Sequence, residues 1–130
     1  MKIRYEGGLL YVTAELVYRS RKVTLTDVIL DTGSAGTLFS IDEVSNLGLV
    51  LDPSDLLRWV RGVGGSEVVL SKRLDSVAVG ELRRSNFVVQ IGAMDYGFPI
   101  QGLIGADFLT ETGAVLDLNR LEIYDGSSLP

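Results

Sequence analysis

The chain has no cysteine and no histidine, and these two absences exclude more chemistry than any motif does. Without cysteine there is no disulfide framework and no thiolate nucleophile. Without histidine the Ser/His pair is gone and most zinc sites lose their usual ligands. A hydrolase built from this sequence must move its protons with carboxylates. Positive charge is also scarce: 12 Lys and Arg stand against 17 Asp and Glu, a formal charge of −5. The basic pairs Arg21-Lys22, Lys72-Arg73 and Arg83-Arg84 are short and scattered, the pattern of solvated strand ends and not of a nucleic-acid footprint. No apolar run approaches the roughly eighteen residues of a membrane span, and Glu15 interrupts the stretch from Leu9 to Val17 where a signal peptide needs an unbroken apolar core. The expectation is a cytoplasmic protein that uses no metal, no cofactor, no nucleic acid and no membrane.

What remains is a folded chain of 130 residues, 46% hydrophobic and 22% charged, which fits one domain over residues 1–130 and is too short for two full lobes. Its pattern is mostly β. Residues 9–18, LLYVTAELVY, and 23–31, VTLTDVILD, are rich in β-branched and aromatic residues and flank the polar turn Arg19 to Lys22, which predicts a hairpin. The second strand runs into the small-residue turn Asp31-Thr32-Gly33-Ser34, and Thr37-Leu38-Phe39 resumes the apolar pattern. Ser40 followed by Glu43 has the spacing of a capping box, with Ile41, Val44 and Leu47 at helical spacing before Gly48, so a short helix is expected there. Leu56 to Val63 and Glu67 to Leu70 around Gly64-Gly65 predict a glycine-tipped hairpin. Segments 74–79 and 86–92 continue the strands around Gly80-Glu81. Leu103-Ile104-Gly105-Ala106-Asp107-Phe108-Leu109 reads as an apolar pair, a glycine and a short helix, and 114–118 with 121–124 as a closing hairpin. Strand, glycine turn and short helix thus occur twice, around Gly33 and around Gly105.

The string Val28-Ile29-Leu30-Asp31-Thr32-Gly33-Ser34-Ala35-Gly36-Thr37-Leu38-Phe39-Ser40 resembles the active-site segment of retropepsin-like aspartic proteases. Leu103-Ile104-Gly105 and the helix after it resemble that family's second motif, and the glycine-tipped hairpin falls between the two, where the family places its flap. Asp-Thr-Gly alone is weak, but order, separation and β context together are specific, over roughly residues 9–124. The resemblance implies an all-β acid-protease fold, a closed barrel with a flap hairpin and one or two short helices. It implies Asp31 as the catalytic residue and Thr32, Gly33 and Ser34 as its support, with Thr32 bonding the opposite loop and Ser34 the aspartate. Trp59, Gly62, Val63, Gly64 and Gly65 would form the flap over substrate. Only one Asp-Thr-Gly is present, so a homodimer is implied, with residues 1–6 and 121–124 as interface candidates because such dimers are commonly held by terminal strands. The partners expected are a second copy and a peptide or protein substrate.

Elementary chemistry agrees with that pattern. Carboxylate-driven peptide hydrolysis needs one ionised group to take a proton from water and one protonated group to polarise the carbonyl oxygen. Two nearby carboxyls share a single proton because like charges resist double ionisation. A glycine after the Asp-Thr pair lets two such loops approach with no Cβ between them. Against this stand simpler readings. Asp31 can be a turn residue capping backbone N–H groups. Asp107, at the start of a helix, is expected to favour the dipole or face solvent, and Asp117 is read as structural. Trp59 serves a flap or a core equally well. An actin-like phosphate loop needs two large lobes that 130 residues do not supply. A catalytically silent protease-like module that binds peptide strands is the alternative left open.

Overall fold

The computed structural model describes residues 1–49, 56–62, 65–94 and 99–128. Among these the elements are β1 Arg4–Glu6, β2 Leu9–Tyr18, β3 Arg21–Leu30, β4 Leu38–Ser40, α1 Ile41–Val44, β5 Leu56–Gly62, β6 Gly65–Val79, β7 Leu82–Gly92, β8 Gly102–Ile104, α2 Ala106–Glu111, β9 Ala114–Asp117 and β10 Glu122–Asp125. In β2 the side chains of Val12, Ala14, Leu16 and Tyr18 are buried, the period of two that a sheet with one covered face imposes. Phe87, Val89 and Ile91 repeat it in β7. All three residues of β8 are buried, as expected of a central strand covered on both faces.

Strands β2, β3, β8, β4, β7 and β6 pair in that order, and β6 pairs back onto β2, closing a six-stranded barrel with β1 and β5 as outriders. Leu16, Leu25, Val28, Phe39, Leu74, Val77, Val89, Ile104 and Phe108 fill the core, and the rings of Phe87 and Phe108 meet edge to face at 5.7 Å. The fold is the expected all-β closed barrel with short helices.

Several details differ from the sequence reading. The first hairpin has a two-residue turn, Arg19-Ser20, because Tyr18 pairs with Arg21. Segments 67–70 and 74–79 belong to one long strand, β6. After α1 the chain tightens into a 3₁₀ turn, Ser45–Leu47, and Gly48 ends it at φ 66°, the left-handed cap that glycine provides. Ser40 stands at the N-cap of α1 but its hydroxyl makes no capping bond. Glu43 instead accepts a hydrogen bond from Gln101 Nε2 at 3.1 Å, so the capping-box spacing serves a tertiary contact. At the termini, Ile3 N–H donates to Leu121 O at 2.8 Å and Ile123 N–H to Met1 O at 2.9 Å. Within the interface candidates 1–6 and 121–124, residues 1–3 and 121–123 are thus bonded to each other in one chain.

Candidate active site

The two pairings of β8, one parallel and one antiparallel, position the candidate site. β3 runs parallel to β8 with Leu30 opposite Ile104, and β4 runs antiparallel on the other side of β8 with Leu38 opposite Leu103. Asp31 and Gly105 therefore leave adjacent strands at the same end. Residues 31–37 must cross over the end of β8 to reach β4. Asp31 N–H donates to Ile104 O at 2.9 Å, and Ala106 N–H to Ser34 O at 2.7 Å, pinning the crossing at its start and its middle.

This crossing explains Gly105. A Cβ there would lie 2.8 Å from Ser34 O and from both C and O of Gly36, all backbone atoms that cannot step aside. Gly102 is crowded as well: its Cβ would meet the Phe39 ring at 2.5 Å and Leu38 O at 2.9 Å. The second motif, Leu103-Ile104-Gly105, is thus the floor on which the Asp31 loop rests.

On that floor the Asp31 carboxylate is half-buried, and its Oδ1 accepts the Gly33 N–H at 3.1 Å. Ser34 N–H donates to Asp31 O at 3.1 Å. The Ser34 hydroxyl, expected to serve the aspartate, donates instead to Gly36 O at 2.8 Å, because the tight turn brings that carbonyl nearer. Thr32 and Gly33 are exposed at the tip, and among the described residues the Thr32 hydroxyl makes no hydrogen bond. A tip with a carboxylate, an unbonded hydroxyl and a glycine has the groups with which to meet another surface.

Comparison with protein-family models matches residues 20–108 to a family described as aspartyl protease. The chain belongs to the aspartyl protease family. Among solved structures, the crystal structure of a retropepsin-like aspartic protease from Rickettsia conorii matches with a TM-score of 0.60 and 21% identity, over 90% of this chain and 81% of that one. That likeness carries the fold, which is retropepsin-like. A comparison with curated proteins gave no match.

In this aspartyl protease chain the strands of the expected flap are present: β5 and β6 pair antiparallel from Leu56 with Ser71 to Gly62 with Gly65. Gly65, read as a turn residue, is in the ladder opposite Gly62, and Trp59 is paired with Val68. Val63 and Gly64 lie outside the described residues.

Two residues of the site, Thr37 and Gln101, escaped the sequence reading, and a third, Asp107, plays a part other than the expected one. Thr37 is fully buried, and every polar group it carries is used. Its N–H donates to Asp107 Oδ2 at 3.1 Å and its Oγ1 donates to Asp107 Oδ1 at 2.7 Å. Oγ1 also accepts the Gly105 N–H at 3.1 Å, and the carbonyl accepts Gln90 N–H at 2.8 Å. Asp107 therefore ties the loop down and is not simply a dipole partner or a solvent-facing acid. The cap position of α2 is Gly105, with no side-chain cap. Gln101 laces the neighbouring strands: its Oε1 accepts Asp27 N–H at 3.0 Å, and its own N–H donates to Asp27 O at 2.9 Å. A hydroxyl residue in an apolar segment, Thr37-Leu38-Phe39, was the available signal for Thr37. Nothing local marks Gln101, and the place of Asp107 at a helix start does not tell which donors it takes.

Among the described residues no helix is long and apolar enough to cross a membrane.

Proposed function

We propose that the chain is an aspartic endopeptidase that works as a homodimer, with Asp31 of each copy meeting across a twofold axis. The observation that carries this reading is the Asp31 carboxylate, held by Gly33 N–H at 3.1 Å on an exposed loop tip, in a chain with a single Asp-Thr-Gly. One carboxylate per chain cannot act as both acid and base. An isologous dimer supplies the second. Two such carboxyls side by side hold one proton between them, the arrangement that defines aspartic proteases as a class.

In the reaction the ionised Asp31 takes a proton from a water molecule whose oxygen attacks the scissile carbonyl carbon. The protonated partner gives its proton to the carbonyl oxygen. Collapse of the resulting diol breaks the C–N bond, and a proton returned to the nitrogen releases the amine, leaving a carboxylic acid on the other fragment. Thr32 would bond across the axis, and β5–β6 with Trp59, Gly62, Val63, Gly64 and Gly65 would cover an extended peptide. Apolar side chains near the scissile bond suit a barrel mouth lined by strands. Residues 1–3 and 121–123 are bonded to one another, and among the described residues β9 pairs only with β10. The outer edge of β9 is therefore the strand edge assigned to the second copy at this end.

The test is Asp31→Asn beside the parent protein, each incubated with an unstructured protein at mildly acidic pH. The parent should sediment as a dimer and cleave. The variant should keep its circular dichroism and lose more than about a hundredfold in rate. Cleavage that persists in Asp31→Asn rejects the reading. Saturable peptide binding by both proteins with no cleavage by either would instead show a silent peptide-binding module.

A further inference from the structure

Residues 104–107 hold the Asp31 loop at successive points: Ile104 O takes Asp31 N–H, Gly105 N–H donates to Thr37 Oγ1, Ala106 N–H donates to Ser34 O, and Asp107 takes both donors of Thr37. The first three contacts come from the backbone of β8, of the cap residue Gly105 and of α2. Only Asp107 contributes a side chain. Its two oxygens receive three donors, Thr37 N–H at 3.1 Å, Thr37 Oγ1–H at 2.7 Å and Phe108 N–H at 2.8 Å, and among the described residues it makes no ion pair. A half-buried carboxylate that is satisfied wholly by N–H and O–H groups is fixed by their directions, and charge-assisted bonds of this kind are stronger than neutral ones. The loop it closes begins at Asp31 and ends at Thr37, across 70 residues of sequence from Asp107.

We infer that Asp107 is a positioning residue for Asp31. By clamping Thr37 to the start of α2, it fixes the far end of the loop whose near end carries the carboxylate. This rests on the proposed catalytic reading of Asp31. With the clamp intact, the loop has anchors on both sides of its tip. With the clamp loosened, the backbone of Asp31 keeps its bond to Ile104 O and Ser34 O keeps Ala106 N–H, but the Thr37 end of the loop loses its side-chain tie and the stretch between gains room to shift. Small displacements of a reacting group cost rate steeply.

Asp107→Asn is the direct test. An amide has one acceptor oxygen, so in either orientation its NH₂ faces a backbone donor, Thr37 N–H or Phe108 N–H, and the charge-assisted character of the remaining bonds is lost. The readouts are kcat and KM on a peptide substrate, and amide hydrogen exchange at Asp31, Ser34 and Ala106. The positioning role predicts that kcat falls by about ten- to a hundredfold in fully folded protein with KM little changed, and that exchange at Asp31, Ser34 and Ala106 speeds up. A purely local role would deprotect Thr37 and Phe108 alone and leave kcat per folded molecule unchanged, and that result overturns the inference.

If Asp107→Asn fails to fold, Thr37→Val and Thr37→Ser give the same reading. Valine removes the hydroxyl that joins Asp107 to Gly105 and should behave like the Asp107 variant, whereas serine keeps it and should restore kcat. Equal behaviour of the two rejects the clamp. Glu111→Gln, at the other end of α2 in an exposed pair with Arg84, is the control and should change neither readout. If the parent protein cleaves nothing but Asp107→Asn still speeds exchange at Asp31 and Ser34, the clamp stands and the catalytic reading of Asp31 falls.

Discussion

Gly33 and Gly105 occupy comparable places, each just beyond one strand of the parallel pair β3–β8, yet the chain constrains them in opposite ways. A Cβ at Gly105 would strike three backbone atoms at 2.8 Å, whereas at Gly33 the nearest atom is Asp31 Oδ1 at 3.4 Å, ordinary contact. Neither glycine adopts a positive φ, so conformational freedom explains neither. Gly105 is dictated from within, by the loop that crosses above it. Among the described residues nothing asks for the smallness of Gly33. That residue is exposed at the loop tip, and under the proposed homodimer its size would let the same tip of a second copy approach. The difference separates a glycine of folding from one that, on the proposed function, would be a glycine of assembly.

The largest effect is therefore expected at the buried position. Gly105→Ala should destabilise the protein by about 3 kcal/mol or more, the upper end for overpacking against atoms that cannot relax. Urea unfolding would show it as a lower midpoint with an unchanged slope. Wild-type stability in that variant would mean the loop does not cross β8 as closely as described. Gly33→Ala sharpens the contrast. At a concentration where the protein is monomeric, its stability should stay within about 1 kcal/mol of the parent, on the favourable side if unfolded-chain entropy dominates. Self-association and cleavage should both be lost. Destabilisation equal to that of Gly105→Ala would erase the distinction.

The same contrast shows what the sequence made legible. The β-branched and aromatic run of β2, the glycine stop at Gly48 and the apolar pair before Gly105 are local patterns, and each became the element it predicts. The Asp31 turn was legible because its residue types are unusual together. Thr37 and Asp107 were not, because their bond spans 70 residues, and an acid in the first turn of a helix looks the same whether it faces the dipole, water or a distant hydroxyl. The single span of β6 was hidden for another reason. Ser71 and Lys72 interrupt its apolar pattern, yet both are buried in the folded chain, so polarity misreported their surroundings. β1 has no apolar pattern to read: all three of its residues are exposed, and only the turn Gly7-Gly8, with φ of 56° and 81°, announces it.

The smallest expected effect comes from a turn where the chain has the backbone of glycine without the residue. Arg19 and Ser20 join β2 to β3 at φ of 47° and 68°, and Asp75 steadies the turn by accepting Arg19 N–H at 2.9 Å. The left-handed region costs an L-residue roughly 1–2 kcal/mol, while glycine gives back about 0.5–1 kcal/mol of that through the greater freedom of its unfolded chain. Ser20→Gly should thus stabilise by about 0.5 kcal/mol, an upward shift in Tm of roughly 2 °C for a domain of this size. The turn lies at the opposite end of β3 from Asp31, so cleavage should not change. Thermal unfolding and a rate assay on one preparation would separate the two quantities. A gain in stability that also alters the rate would show that strain at residues 19–20 reaches the Asp31 loop along the strand, and the division between glycines of folding and glycines of assembly would then be too sharp.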